Sequence, residues 1–148
     1  MNADNSNFKH QELTRKIIGV YYEVYNELGH GFLESVYENA MMIALREAGL
    51  NAVQQAPVTV RFRGAIVGDF RADVLINDAV IVELKAALGI DPAHEAQLLN
   101  YLRATEIEVG LLLNFGPKPQ FKRLVFANER KARPQINADE RRLKATDT

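Results

Sequence analysis

The chain contains no cysteine, which removes disulfide cross-links from the ways it can be stabilised. It also lacks a cationic segment leading into an apolar stretch near its start, and no apolar run approaches the roughly 20 residues that a membrane-spanning helix requires. These absences predict a soluble, cytoplasmic protein with no membrane partner. Positive charge is not in surplus either: the formal net charge is −1 and the sequence pI is near 6.3. A protein that coats nucleic acid by electrostatics alone is therefore not expected. The charge is unevenly spread, because residues 1–117 carry nine Lys and Arg against fifteen Asp and Glu, whereas residues 118–148 carry nine against four. An acidic body fits a metal site and a basic end fits a phosphate contact; a solvated surface with a basic tail explains the same counts.

What is present is enough apolar material for one folded domain. With 148 residues and 47% hydrophobic content, the chain can bury a real core but not two comfortable ones. Residues 1–10 read as a flexible start, 11–127 as the domain and 128–148 as a charged tail, with some helix near Ala138 to Lys144. From Gln11 to Leu28, apolar residues recur at three- and four-residue steps, the stripe of an amphipathic helix. A second helix is expected from about Phe32 to Ala48, with Leu33, Val36, Ala40, Ile43 and Ala44 as core residues. It carries Glu34, Tyr37, Glu38 and Met41 near one another on one face. Glu34 is balanced between a site role and a boundary role, and Glu38 reads as a boundary residue reaching solvent.

The period then changes to two. Val58, Val60 and Phe62 mark a first strand, and a second follows from Val67 or Gly68 with Phe70, Ala72, Val74 and Ile76 on its apolar face. Asp69, Arg71, Asp73 and Leu75 take the opposite face, and Ala79 to Lys85 forms a third strand. Asp91-Pro92 starts a helix that runs to about Arg103. Val109 to Phe115 reads as a strand buried on both faces, reached by a helical crossover, and Phe121 to Ala127 as a last strand. Helices packed on a mixed central sheet follow, an α/β fold.

The stretch Gly68–Lys85 holds the chemistry. Alternation places Glu83 and Lys85 on one face of their strand, and Asp73 lies on the strand before. Two carboxylates and a lysine are the groups that a divalent-metal phosphodiester cleaver needs. Cross-strand partners share a face, so a two-residue turn at Asn77-Asp78 would pair Asp73 with Val82 and part the two acids. A shared site requires an odd connection, for example Asn77 to Ala79, or a bulge.

The blocks Gly31-Phe32-Leu33-Glu34-Ser35-Val36-Tyr37, Gly68 to Asp73, Ile81 to Lys85, Gln97 to Tyr101 and Gly110 to Gly116 resemble, in order, the GxxExxY protein family. That family is placed in the PD-(D/E)xK nuclease superfamily, with its αβββαβ core. Ala72 stands where the superfamily name has proline. Gln97 and Tyr101 match the QxxxY motif of the RecB-like and Cas4-like branch, and without cysteines no iron–sulfur cluster is expected.

The resemblance implies a nuclease acting on DNA or RNA with Mg²⁺ or Mn²⁺ held by Asp73, Glu83, Glu34 and the Leu84 carbonyl. Lys85 would orient the attacking water, and Gln97 and Tyr101 would position Lys85 or the scissile phosphate. His94 or Asn100 would reach nucleic acid, although an ordinary helix residue is the preferred reading of His94. Arg61, Arg63 and Arg71 are phosphate contacts or surface ion pairs, and Asp69 is a spare ligand or the partner of Arg71. The competing reading is a non-catalytic nucleic-acid- or protein-binding module that retains the nuclease fold. The sequence predicts no particular homo-oligomer or protein partner.

Overall fold

A computed structural model describes residues 9–131. The order is α1 (Gln11–Leu28), α2 (Glu34–Glu47), β1 (Ala52–Phe62), β2 (Ala65–Ile76), β3 (Val80–Lys85), α3 (Pro92–Ala104), β4 (Val109–Phe115) and β5 (Pro119–Val125), then a 3₁₀ turn at Asn128–Arg130. The expected α/β arrangement is borne out: the five strands form one sheet in sequence order. β3 and β4 are parallel and the other neighbours antiparallel, with α3 as the crossover that a parallel pair requires. The expected helix at Ala138 to Lys144 lies outside the described residues.

Helices α1 and α2 cover one face. Ile17, Tyr21, Tyr37, Met41 and Leu45 pack there against Val74, Val82, Leu84, Leu111 and Phe115. On the opposite face Leu98, Tyr101 and Leu102 of α3 meet Val58, Ala72, Ile81 and Leu112. Every residue of β4 is buried, as its unbroken apolar run implies. At Gly110 a Cβ would come within 2.8 Å of Leu98 Cδ1, so the missing side chain is what lets α3 sit so close to the sheet.

Three expectations need correction. The second helix begins at Glu34, not Phe32, because the chain turns at Gly31 with φ 113. The Tyr37 hydroxyl closes that turn by donating to Gly29 O at 2.6 Å and accepting the Phe32 N–H at 3.2 Å. The buried face of α2 is also partly different: Leu33 and Ile43 are 77% and 62% exposed, Ala40 and Ala44 pack against the core as expected, and Tyr37, Met41, Met42 and Leu45 form it. Tyr37 can be buried because its hydroxyl is satisfied and its ring stacks on Phe115, 4.1 Å between centroids. Finally, the edge strands shift: β1 starts at Ala52 rather than near Val58, and β5 covers Pro119–Val125 rather than Phe121 to Ala127.

The turn between β2 and β3 meets the condition set by the two acids. Ile76 pairs with Val80, so Asn77, Asp78 and Ala79 form the odd connection, with Asn77 and Asp78 both in left-handed conformation. Such residues tolerate positive φ better than most. One further irregularity was not expected. The β1–β2 ladder passes from Gln54↔Val74 to Ala56↔Ala72, and between them Gln55 has φ 56. Either side of this point the strands change sides: Ala52, Val74 and Ile76 pack under α1 and α2, whereas Val58 and Ala72 pack under α3. The single apolar face expected for Phe70 to Ile76 is therefore split at Asp73.

Candidate active site

Strand β3 positions the first two groups by alternation. Val82 and Leu84 enter the core beneath α1 and α2, and Ile81 enters the core beneath α3, so Glu83 and Lys85 point to the α3 side. The ladder with β2 runs only to Val74↔Val82. Beyond it the Leu84 N–H would ordinarily donate to a β2 carbonyl, but donates instead to Asp73 Oδ2 at 2.8 Å. Reciprocally, the Asp73 N–H donates to Glu83 Oε2 at 2.8 Å. The two carboxylates thus close the point where the strands part. Asp73 Oδ1 and Glu83 Oε1 lie outside these bonds. Leu84 directs its carbonyl to the same edge of β3 as its N–H, towards this gap.

The pair is electrostatically costly. Glu83 is only 5% exposed, and burial followed by the charge of Asp73 pushes its carboxyl up to about 8, against smaller lowering by the Asp73 N–H and Lys85. Burial also raises Asp73, the Leu84 N–H opposes that, and Glu38 and Glu34 add further negative charge. Two like-charged carboxylates with free oxygens suit a hard divalent cation, which takes oxygen ligands and would neutralise them. Among the described residues no group of three or more His, Asp and Glu converges to hold a metal. A site with two carboxylates still fits Mg²⁺, which is usually held by one or two and keeps several waters.

The remaining candidates fall into two groups. Glu34, exposed at the start of α2, accepts the Ala86 N–H at 3.3 Å; it reaches the end of β3 but does not complete a three-acid ligand set with Asp73 and Glu83. Lys85 acts on both carboxylates through its charge yet makes no ion pair among the described residues. Tyr101 is buried beside the pair, its phenol raised first by burial and then by Glu83 and Asp73. Gln97 and Asn100 share with Tyr101 the wall of a groove. His94 does not line it; its Nδ1 is enclosed without a hydrogen-bond partner among the described residues. Of the two readings of Asp69, the pairing with Arg71 is not among the ion pairs of the described residues; Arg71 Nη1 donates to Gln55 O at 3.1 Å, and Arg63 lies over the Phe62 ring.

From sequence, Glu38 reads only as a boundary residue and Asn114 has no assigned role. Glu38 is not a free boundary residue: its Oε2 accepts from Gln54 Nε2 at 2.6 Å and Gln55 Nε2 at 2.9 Å, and its charge bears on both Asp73 and Glu83. Its four-residue spacing from Glu34 was the available signal. Asn114 is fully buried; its Oδ1 accepts the Ala87 N–H at 2.9 Å and its Nδ2 donates to Ala87 O at 3.0 Å. It clamps the segment that leaves Lys85. A lone amide inside an apolar strand was the signal there.

Comparison with known proteins agrees with this geometry at the level of fold and family. A crystal structure of a protein designated SSO0001 superposes with a TM-score of 0.50 at 17% identity, covering 74% of this chain and 58% of that one. This chain thus spans little more than half the length of that relative, and the likeness is one of fold. No curated protein matches the sequence. A family model described as the PD-(D/E)XK nuclease superfamily matches residues 11–124, which takes in every element from α1 to β4 and the whole Asp73–Glu83–Lys85 constellation. The chain belongs to the PD-(D/E)XK nuclease superfamily.

Proposed function

We propose that this protein is a divalent-metal-dependent nuclease hydrolysing phosphodiester bonds of DNA or RNA, and that it falls in the GxxExxY group of its superfamily. The observation that carries this reading is the reciprocal Asp73–Glu83 arrangement, with Lys85 on the same face of β3. Asp73 and Glu83 would hold Mg²⁺ or Mn²⁺ through the oxygens left outside their backbone bonds, with the Leu84 carbonyl as a further oxygen donor. Such an ion would supply positive charge at the phosphoryl oxygens and ease deprotonation of the attacking water. Lys85 orients that water and stabilises the charge developing on phosphorus-bound oxygens. Tyr101, with its phenol held in the neutral form beside the carboxylates, donates a hydrogen bond to Lys85's water or to the scissile phosphate, and Gln97 assists from one turn earlier. Glu34 positions the Ala86 amide and so the end of β3.

Cleavage of labelled single- and double-stranded DNA and RNA in Mg²⁺, Mn²⁺ or EDTA tests the proposal. Wild type is expected to cleave with either ion and not in EDTA. Glu83→Gln and Lys85→Met are each expected to lose at least about 100-fold in rate. Cleavage that persists in EDTA, or survives both substitutions, rules the assigned site out. Binding without cleavage in every condition would favour a non-catalytic module instead.

A further inference from the structure

Among the described residues, a groove with a volume of about 710 Å³ lies between the β1–β2 hairpin and α3. Val60, Gly68 and Phe70 form one wall, and Gln97, Asn100 and Tyr101 the other. Of its lining side chains only Arg103 is charged, and none is acidic. Its inner boundary is Tyr101, the residue that feels the charges of Glu83 and Asp73. Tyr101 also belongs to one core cluster with Ala72 and Ile81, so this wall of the groove is built on the strands that carry the carboxylates, which themselves stay out of it.

Phe70 is what makes this groove chemically specific. It is 45% exposed, and its ring stands 6.0 Å from that of Tyr101 at a 38° tilt. The ring folds back across its own strand: a Cβ on Gly68 would come within 2.7 Å of Phe70 Cε2, so glycine is the residue that permits this placement. The hairpin ladder also slips between Val60 and Arg61, which brings both Val67 and Gly68 to the groove. An exposed aromatic face, apolar neighbours and two exposed amides, Gln97 and Asn100, match an unstacked nucleobase. The ring and aliphatic groups would take its face and the amides its hydrogen-bonding edge.

A duplex hides its base faces and is gripped mainly through phosphates by a basic surface. This groove has one cation, and the whole chain has a net charge of −1.

We infer that the hairpin–α3 groove is a base-binding channel for a single nucleic-acid strand, making the protein selective for single-stranded or unpaired substrate. The inference rests on the nuclease reading for what happens next: a base held against Phe70 brings the neighbouring phosphate to the Asp73–Glu83–Lys85 side of Tyr101.

The test measures binding of fluorescein-labelled oligonucleotides to the full chain by anisotropy, with Ca²⁺ in place of Mg²⁺. Three ligands are compared: a single strand, the same strand in a duplex, and the same single strand with consecutive abasic sites. The intact single strand is expected to bind about tenfold more tightly than either of the others, a ratio in line with the loss of one base–aromatic stack. Phe70→Ala should weaken single-strand binding about tenfold and leave abasic binding unchanged, and Phe70→Trp should restore it. Because the abasic arm uses wild type, it stands even if a variant folds poorly. Duplex bound as tightly as single strand, abasic strand bound as tightly as intact strand, or no binding to any ligand overturns the inference. Strand selectivity without cleavage in Mg²⁺ would retain this inference and reject the nuclease, whereas metal-dependent cleavage without strand or base preference would do the reverse.

Discussion

Glu83 combines burial with a like-charged neighbour, and its titration follows from that. Its carboxyl is pushed up to about 8 in the folded chain from 4.5, so folding takes up a proton between these two values. The stability of the metal-free protein is then greatest below about pH 4.5 as far as this group is concerned, and is lost as pH rises through about 8. In EDTA the melting temperature should fall by several degrees from pH 5 to pH 8, and Glu83→Gln, which keeps an oxygen to accept the Asp73 N–H, should at least halve the fall. A flat profile shared by both proteins would contradict the buried like-charge pair. At this scale the sequence was informative where spacing sets geometry: Glu83 and Lys85 share a face by alternation alone. In it Glu38 reads only as a boundary residue reaching solvent, because its partners Gln54 and Gln55 come from another element and meet it through the left-handed turn of Gln55.

The segment that follows Lys85 owes its course to a strand on the far side of the crossover. Asn114 of β4 binds both backbone groups of Ala87, and a Cβ at Gly116 would fall 2.3 Å from Ala87 O. Tyr25 fixes the same corner by donating to Gly116 O at 2.6 Å, and Tyr21 donates to Asn114 O. Asn114→Ala removes two part-buried hydrogen bonds and leaves the Ala87 groups without their protein partner, so a loss of about 2–4 kcal/mol in urea unfolding is expected. A loss below about 1 kcal/mol would mean that water replaces the clamp. Helix α1 and strand β4 were legible to the residue, because α1 carries one unbroken period over its whole length and β4 a near-continuous apolar run. Helix α2 was read partly on the wrong face, since Tyr37 buries there through partners at Gly29, Phe32 and Phe115, whereas Ala40 and Ala44 do pack against the core. Strand β1 was seen only from Val58 because Gln55 breaks its alternation.

For the molecule as a whole, near-neutrality limits how it can hold a polyanion. Arg61, Arg63 and Arg103 are exposed on the hairpin and α3, and Arg103 and Arg130 both lie over the Phe126 ring, but no continuous basic stripe is formed by them. Contacts to about three phosphates imply a slope of about −2 for log K against log salt with a single strand. Titrations between low and moderate salt would measure it, and a slope steeper than about −5 would expose a basic surface that the described residues do not show. The mixed five-stranded sheet itself was readable from the order of periods along the chain, as was the odd turn at Asn77–Ala79, which followed from requiring one site. The change of sides at Asp73 was not, because it depends on backbone torsion at Gln55 rather than on residue type.

The bonds between Asp73, Glu83 and the backbone also separate two kinds of information carried by the sequence. Since each acid ends the β2–β3 ladder by capping an amide of the opposite strand, a chain that had given up all chemistry would still need an acceptor at both positions. Lys85 caps nothing and pairs with nothing among the described residues. Its identity, rather than that of either carboxylate, is therefore the position at which a working catalyst and a surviving scaffold of this architecture can be told apart.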